Sequence, residues 1–191
     1  LSGEANRTLD GGVINTAGLG TWSGSGLLKV RGGVINNSGT FTVLGDASVF
    51  NETGGVTTFI NSGTFLKAGA GTTTFNAVNG GMPFTNNGTM DLRFGVLSFG
   101  SSYTSAPTNQ FKVAIGGTSP GTQFGQLQRG GPVVFNGNLE VSLANGFVPT
   151  NGSAFVLVTY TSRSGQFASA VLPALPSDVK WSLNYGATSL T

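Results

Sequence analysis

The sequence predicts an all-β fold: a right-handed parallel β-helix (β-solenoid) with about two dozen residues per coil, closed by a less regular C-terminal β region. Three observations carry this. A Gly-Thr word followed by a large apolar residue recurs at Gly20-Thr21-Trp22, Gly39-Thr40-Phe41, Gly63-Thr64-Phe65 and Gly88-Thr89-Met90, and its last two intervals are nearly equal. Short β-branched and aromatic runs, bounded by Gly, Asn and Ser, fill the intervals and read as strands. No window combines helical periodicity with caps.

The elements follow in order. Val13-Ile14-Asn15 is a loose first copy of a second word that returns as Val34-Ile35-Asn36-Asn37-Ser38, Phe59-Ile60-Asn61-Ser62 and Phe84-Thr85-Asn86-Asn87. In the repeat from Gly39 the predicted strands cover residues 40–44, 47–50 and 56–60; in the next they cover 64–67, 72–75 and 82–85. An antiparallel sandwich has frequent turn signals but no reason to repeat one turn sequence at this longer period. A coil has that reason, because each residue stacks on its counterpart one turn below. Asn36, Asn61 and Asn86, at equal intervals, are expected to form a side-chain amide ladder. Phe41, Phe65 and Met90, with Trp22 at the start, are expected to stack inward. The glycine of each Gly-Thr word is expected at a positive φ.

The period fails after residue 106, so residues 1–106 read as repeat coils. Residues 107–191 read as irregular coils or a C-terminal cap continuing the same solenoid. Here the strands lengthen and alternate. Phe111, Val113 and Ile115 oppose Lys112 and Ala114; Leu139, Val141 and Leu143 oppose Glu140 and Ser142. Phe155, Leu157 and Thr159 oppose Val156, Val158 and Tyr160; Val179, Trp181, Leu183 and Tyr185 oppose Lys180, Ser182 and Asn184. The runs Phe111 to Gly117, Gly121 to Leu127, Gly137 to Pro149, Gly152 to Leu157 and Ser164-Gly165-Gln166-Phe167 resemble β-helical, autotransporter-passenger-like regions of large secreted or surface-anchored bacterial proteins. The resemblance covers residues 107–190. It implies export, a non-catalytic role and membership of a larger polypeptide, and it assigns no functional residue. The chain departs from an autotransporter in carrying no membrane barrel.

Composition narrows function. Among 191 residues there are 32 glycines, no cysteine and no histidine, a formal net charge of +2, and only 8% charged residues. Glycine is more than twice its usual share of about 7%. Without His or Cys there is no Ser-His-Asp or Cys-His nucleophile system, no zinc finger and no disulfide. No basic run exists to neutralise phosphates, so no nucleic-acid partner is expected. No segment approaches the ~18 apolar residues of a membrane helix, and the start at Leu1 and the end at Thr191 read as a domain cut from a larger protein.

No catalytic residue, cofactor or metal ligand is assigned. Asp91 beside Arg93 is the closest acid–base pair and reads as an outward ion pair, and Asp46 and Asp91 lack the dense acidic spacing of repeat calcium sites. The threonine runs Thr57-Thr58 and Thr72-Thr73-Thr74 do not persist through the coils as an ice-binding array would. Gly116 to Gly121 lacks the Lys-Ser/Thr of a phosphate loop. Tyr103, Tyr160 and Trp181 are the candidate ligand contacts, for a polysaccharide or cell-surface glycan. The expected role is a secreted or cell-surface bacterial module for adhesion or glycan binding; the alternative is a passive stalk.

Overall fold

The computed structural model describes residues 1–191. It is a nearly all-β parallel solenoid of about six turns. The first coil holds β1 (Arg7–Leu9), β2 (Val13–Thr16) and β3 (Leu19–Trp22). The second holds β4 (Leu28–Val30), β5 (Gly33–Asn37) and β6 (Thr40–Val43). The third holds β7 (Ser48–Asn51), β8 (Thr57–Asn61) and β9 (Thr64–Lys67). The fourth holds β10 (Thr72–Phe75), a one-turn 3-10 segment (Val78–Gly80), β11 (Phe84–Asn86) and β12 (Thr89–Leu92). The fifth holds β13 (Val96–Phe99), β14 (Tyr103–Ser105) and β15 (Gln110–Ile115). The sixth holds β16 (Gln126–Arg129), β17 (Pro132–Phe135) and β18 (Asn138–Leu143). A last partial coil has β19 (Val158–Thr159), β20 (Ser162–Gly165) and β21 (Ser169–Val171), and β22 (Ser189–Leu190) returns against β19.

Corresponding strands stack into three faces. The first runs β1-β4-β7-β10-β13-β16-β19 and ends on antiparallel β22; the third runs unbroken from β3 to β21. The second runs from β2 to β14, and β17 pairs only with β20. The first and third faces therefore pass straight through residues 106–107. The second half continues the solenoid as far as Val171, and only the remainder closes it.

Period-two pleating sends alternate side chains inward. On the third face Phe41, Phe65 and Met90 form one buried column, as the repeats predict, and the structure extends it through Phe111 and Leu139. The Phe41 and Phe65 rings stack with centroids 5.9 Å apart. Trp22 is not in that column. Gly20 stands under Phe41, while Trp22 stands under Val43 and begins the neighbouring column. The word itself misaligned them, because the step from Gly20 to Gly39 is shorter than the coil that carries Trp22 to Val43. Coils differ in length. The steps from Val43 to Lys67 and from Lys67 to Leu92 keep the sequence period; the step from Leu92 to Val113 is shorter and that from Val113 to Val141 is longer. Corners absorb the difference and the strands keep register.

The same effect corrects the asparagine ladder. Asn61 lies over Asn37, not Asn36, and Asn86 lies over Asn61. Asn37 Nδ2 donates to Asn61 Oδ1 at 2.7 Å, and Asn61 Nδ2 donates to Asn86 Oδ1 at 2.7 Å. The same amides donate to the backbone carbonyls of Thr64 and Thr89. Asn36 sits one position away and so on the opposite face of the strand. There its Nδ2 donates outside the core to Asn15 Oδ1.

The Gly-Thr glycines are corrected too. Gly39, Gly63 and Gly88 do not have positive φ. A Cβ on Gly39, Gly63 or Gly88 would lie 2.1–2.2 Å from the carbonyl oxygen of Gly18, Gly39 or Gly63 in the coil below. Close backbone contact, not left-handed conformation, excludes a side chain there.

Asn61→Ala removes a buried amide and leaves one N–H of Asn37 Nδ2 and Asn86 Oδ1 without their partner; at about 1–3 kcal/mol for each unmet group, it is expected to lower Tm by several degrees in a thermal melt. Asn36→Ala removes an exposed amide and is expected to leave Tm within about 2 °C of wild type.

Candidate functional site

The outward pleat of the third face carries two polar columns. Thr40, Thr64, Thr89, Gln110, Asn138 and Ser169 stack in one. Asp91, Lys112 and Glu140 stack in the other, where alternating charge replaces the Thr42 and Leu66 of earlier coils. Lys112 Nζ lies 2.7 Å from Glu140 Oε2, and Arg93 Nη2 lies 3.0 Å from Asp91 Oδ2. Together with Ser142 these side chains line a surface groove of about 380 Å³. In the sequence, Lys112 and Glu140 fall on the outward phase of two alternating strands. Their pairing was missed because the coil that joins them is longer than the repeat period of the first half.

The three aromatic candidates lie elsewhere and do not converge. Tyr103 is in β14, not in a polar loop, and continues the inward column Ile35, Phe59, Phe84. Its ring stacks on Phe99 at 4.9 Å and on Phe84 at 6.2 Å, so the ring is committed to packing rather than to a sugar face. Burial pushes its hydroxyl pKa up, against the opposing pull of Asn86 and Ser105. The residue lines a notch of about 170 Å³ where β14 and β17 face each other unpaired. Side chains bridge that seam: Asn136 Nδ2 donates to the Ser105 carbonyl at 2.8 Å, and Asn109 Nδ2 donates to Asn136 Oδ1 at 2.9 Å.

Tyr160 was expected opposite Phe155 and Leu157; instead Val158 and Tyr160 point inward with them. The chain changes phase between Leu157 and Val158, where it enters the ladder beside Leu127. The Tyr160 hydroxyl is shared between the carbonyls of Gly186 at 2.9 Å and Ser189 at 2.8 Å, and burial raises its pKa. Trp181 is half-buried. Its Nε1 donates to the Pro173 carbonyl at 2.8 Å, and its ring centroid lies 6.0 Å from that of Phe155. The segment from Val179 to Tyr185 alternates as read, but it forms no ladder strand; only Tyr185 bridges to Leu190.

The sequence reading does not single out Lys67. It occupies the inward column between Val43 and Leu92 and is fully buried. Its Nζ donates to the carbonyls of Gly45 at 2.7 Å and Gly69 at 2.8 Å, closing a corner as a bound cation would. Burial lowers its pKa to about 8, and nearby Asp46 opposes that shift. The signal available in the sequence was a charged residue at an inward phase.

No group of three or more His, Cys, Asp or Glu side chains is placed to hold a metal, and no helix is long and apolar enough to cross a membrane. No protein-family model matches the chain, and neither the curated proteins nor the solved structures return a match. The resemblance to autotransporter passengers therefore rests on the residues in 107–190 alone.

Two measurements check these placements. Tyr160→Phe frees two carbonyls and is expected to cost about 1–2 kcal/mol and to speed amide hydrogen exchange around residues 186–190. For Lys67, the unfolded chain holds the proton up to about pH 10.5 and the folded chain only to about 8. Stability contributed by this site therefore rises with pH across that window, by at most about 3 kcal/mol. Urea melts from pH 7.5 to 10.5 should show a steeper rise for wild type than for Lys67→Met.

Proposed function

We propose that the chain is a non-catalytic β-solenoid module of an exported, surface-associated bacterial protein, and that it binds a polysaccharide along its third face. The observation that carries this is the outward array on β12, β15 and β18. Five charged or amide side chains (Asp91, Lys112, Glu140, Gln110 and Asn138) stand in adjacent register on a rigid backbone beside an open groove. Hydroxyl groups of a polymer laid across the coils find donors and acceptors at the interstrand repeat of ~4.8 Å. Charge-assisted hydrogen bonds of this kind contribute about 1.5–3 kcal/mol each when formed. Both groove carboxylates are engaged by cations, which supports recognition over acid–base chemistry. Export is supported by the resemblance of residues 107–190.

A passive stalk is the second reading. It is favoured by the engagement of Tyr103, Tyr160 and Trp181 within the solenoid and its closing segment, where they serve packing.

Titration against a panel of neutral and acidic polysaccharides separates the two. Binding is expected to weaken about tenfold in the Lys112→Ala/Glu140→Ala double variant, which removes the ion pair as a unit. Tyr103→Phe is expected to leave affinity unchanged. Flat isotherms across the panel would leave the stalk reading in its place.

A further inference from the structure

Resting on the polysaccharide reading above, we infer that the polymer on the third face is electrically neutral and is held through vicinal hydroxyl pairs, with no sugar ring stacked on an aromatic side chain.

Charge decides the first part. The groove is lined by two carboxylates, Asp91 and Glu140, by two cations, Arg93 and Lys112, and by no other charged residue. Each charge is answered inside the groove. Lys112 Nζ lies 2.7 Å from Glu140 Oε2. Arg93 Nε donates to Asp91 Oδ2 at 3.1 Å, and Arg93 Nη2 lies 3.0 Å from the same oxygen. A uronate or sulfate group entering here competes with a resident carboxylate for its cation, and then stands beside the carboxylate it displaced. Like charges brought together in this way oppose binding. A hydroxyl makes no such demand and leaves both ion pairs in place.

Unused hydrogen-bonding capacity decides the second part. An ammonium has three donors, a guanidinium five, and a carboxylate accepts at both oxygens. Arg93 Nη1, Asp91 Oδ1 and Glu140 Oε1 take no part in the ion pairs, and Lys112 Nζ has N–H groups beyond the one that faces Glu140. The Lys112 and Glu140 side chains are 33% and 40% exposed, against 14% for Asp91, so their pair is the more open of the two. It offers a donor and an acceptor side by side. Hydroxyls on neighbouring ring carbons complete that pattern: one accepts from Lys112 Nζ and the other donates to Glu140 Oε1. Ser142, stacked over Ala114 in the adjoining column, adds a hydroxyl. Val113, Ala114 and Ala144 supply the rest of the lining, which contains no aromatic residue. A sugar face therefore has no ring to stack on, and the hydroxyl edge is what the groove reads.

Polygalacturonate and its full methyl ester share a backbone and the same vicinal diols and differ in charge, so calorimetric titration of both tests the first part. Galactomannan before and after periodate cleavage and borohydride reduction, which removes the vicinal diols, tests the second. The ester and intact galactomannan are expected to bind. The acid is expected to bind at least about tenfold more weakly than its ester, and cleaved galactomannan at least about tenfold more weakly than intact. Glu140→Gln takes one negative charge from an exposed side chain; it is expected to fold as wild type does and to tighten binding of the acid about tenfold, while binding of the ester changes less than about threefold. Acid that binds as tightly as its ester, or cleaved galactomannan that binds as tightly as intact, overturns the inference and leaves the polysaccharide reading standing. Flat isotherms with all four polymers overturn it too, and flat isotherms across the wider panel remove the polysaccharide reading with it.

Discussion

The structure depends on the close stacking of backbone on backbone at the corner between the second and third faces. Gly63 rests on Gly39, and Gly88 on Gly63, so closely that the carbonyl below occupies the space of a Cβ. The following threonine closes the contact: Thr64 N donates to the Gly39 carbonyl and Thr89 N to the Gly63 carbonyl, each at 2.8 Å. The Asn37–Asn61–Asn86 ladder lies just before this corner and bonds both to itself and to the strands that leave it. A corner held this tightly sets the register of two strands at once. A slip of one position would turn every inward side chain outward.

The unusual composition follows from that geometry. A narrow core takes two inward side chains from most strands, and phenylalanine fills it economically: Phe59 and Phe84 stack at 4.8 Å while Phe41 and Phe65 meet Phe59 edge-on. Glycine, asparagine and serine serve corners, and exterior faces need hydrogen-bonding side chains more than charge. Where charge does enter the interior, the fold answers it with backbone carbonyls, as around Lys67.

Ending such a structure is a separate problem, since a parallel stack exposes strand edges and an open core. At the C-terminal end the chain reverses. β22 pairs antiparallel to β19, Tyr160 donates to the carbonyls beneath the reversal, and the Arg163 guanidinium donates to the Tyr185 carbonyl while lying 5.3 Å from the Tyr185 ring centre. The closure is tight over the first face and looser over the third. The pocket beside Trp181, which Val141 and Leu172 line together, lies at that looser end.

By itself the sequence determined the solenoid, the three strands of each middle coil and the buried Phe41–Phe65–Met90 column. Those features repeat at nearly constant spacing, and spacing is what one-dimensional information carries. Only the tertiary structure decided that Asn37 rather than Asn36 joins the ladder, that Trp22 stands beside Val43, and that Tyr103 and Tyr160 turn inward. The Lys112–Glu140 pair on the outer groove belongs with them: its outward phase was legible, its partnership was not. In each case the deciding quantity was local: the length of an irregular corner or a change of phase on entering a strand. A corner that gains or loses a few positions leaves the strands unchanged, yet it selects which residue lies above which. Stacking partners are set by hydrogen bonds between coils, and those bonds exist only once the coils are closed on one another.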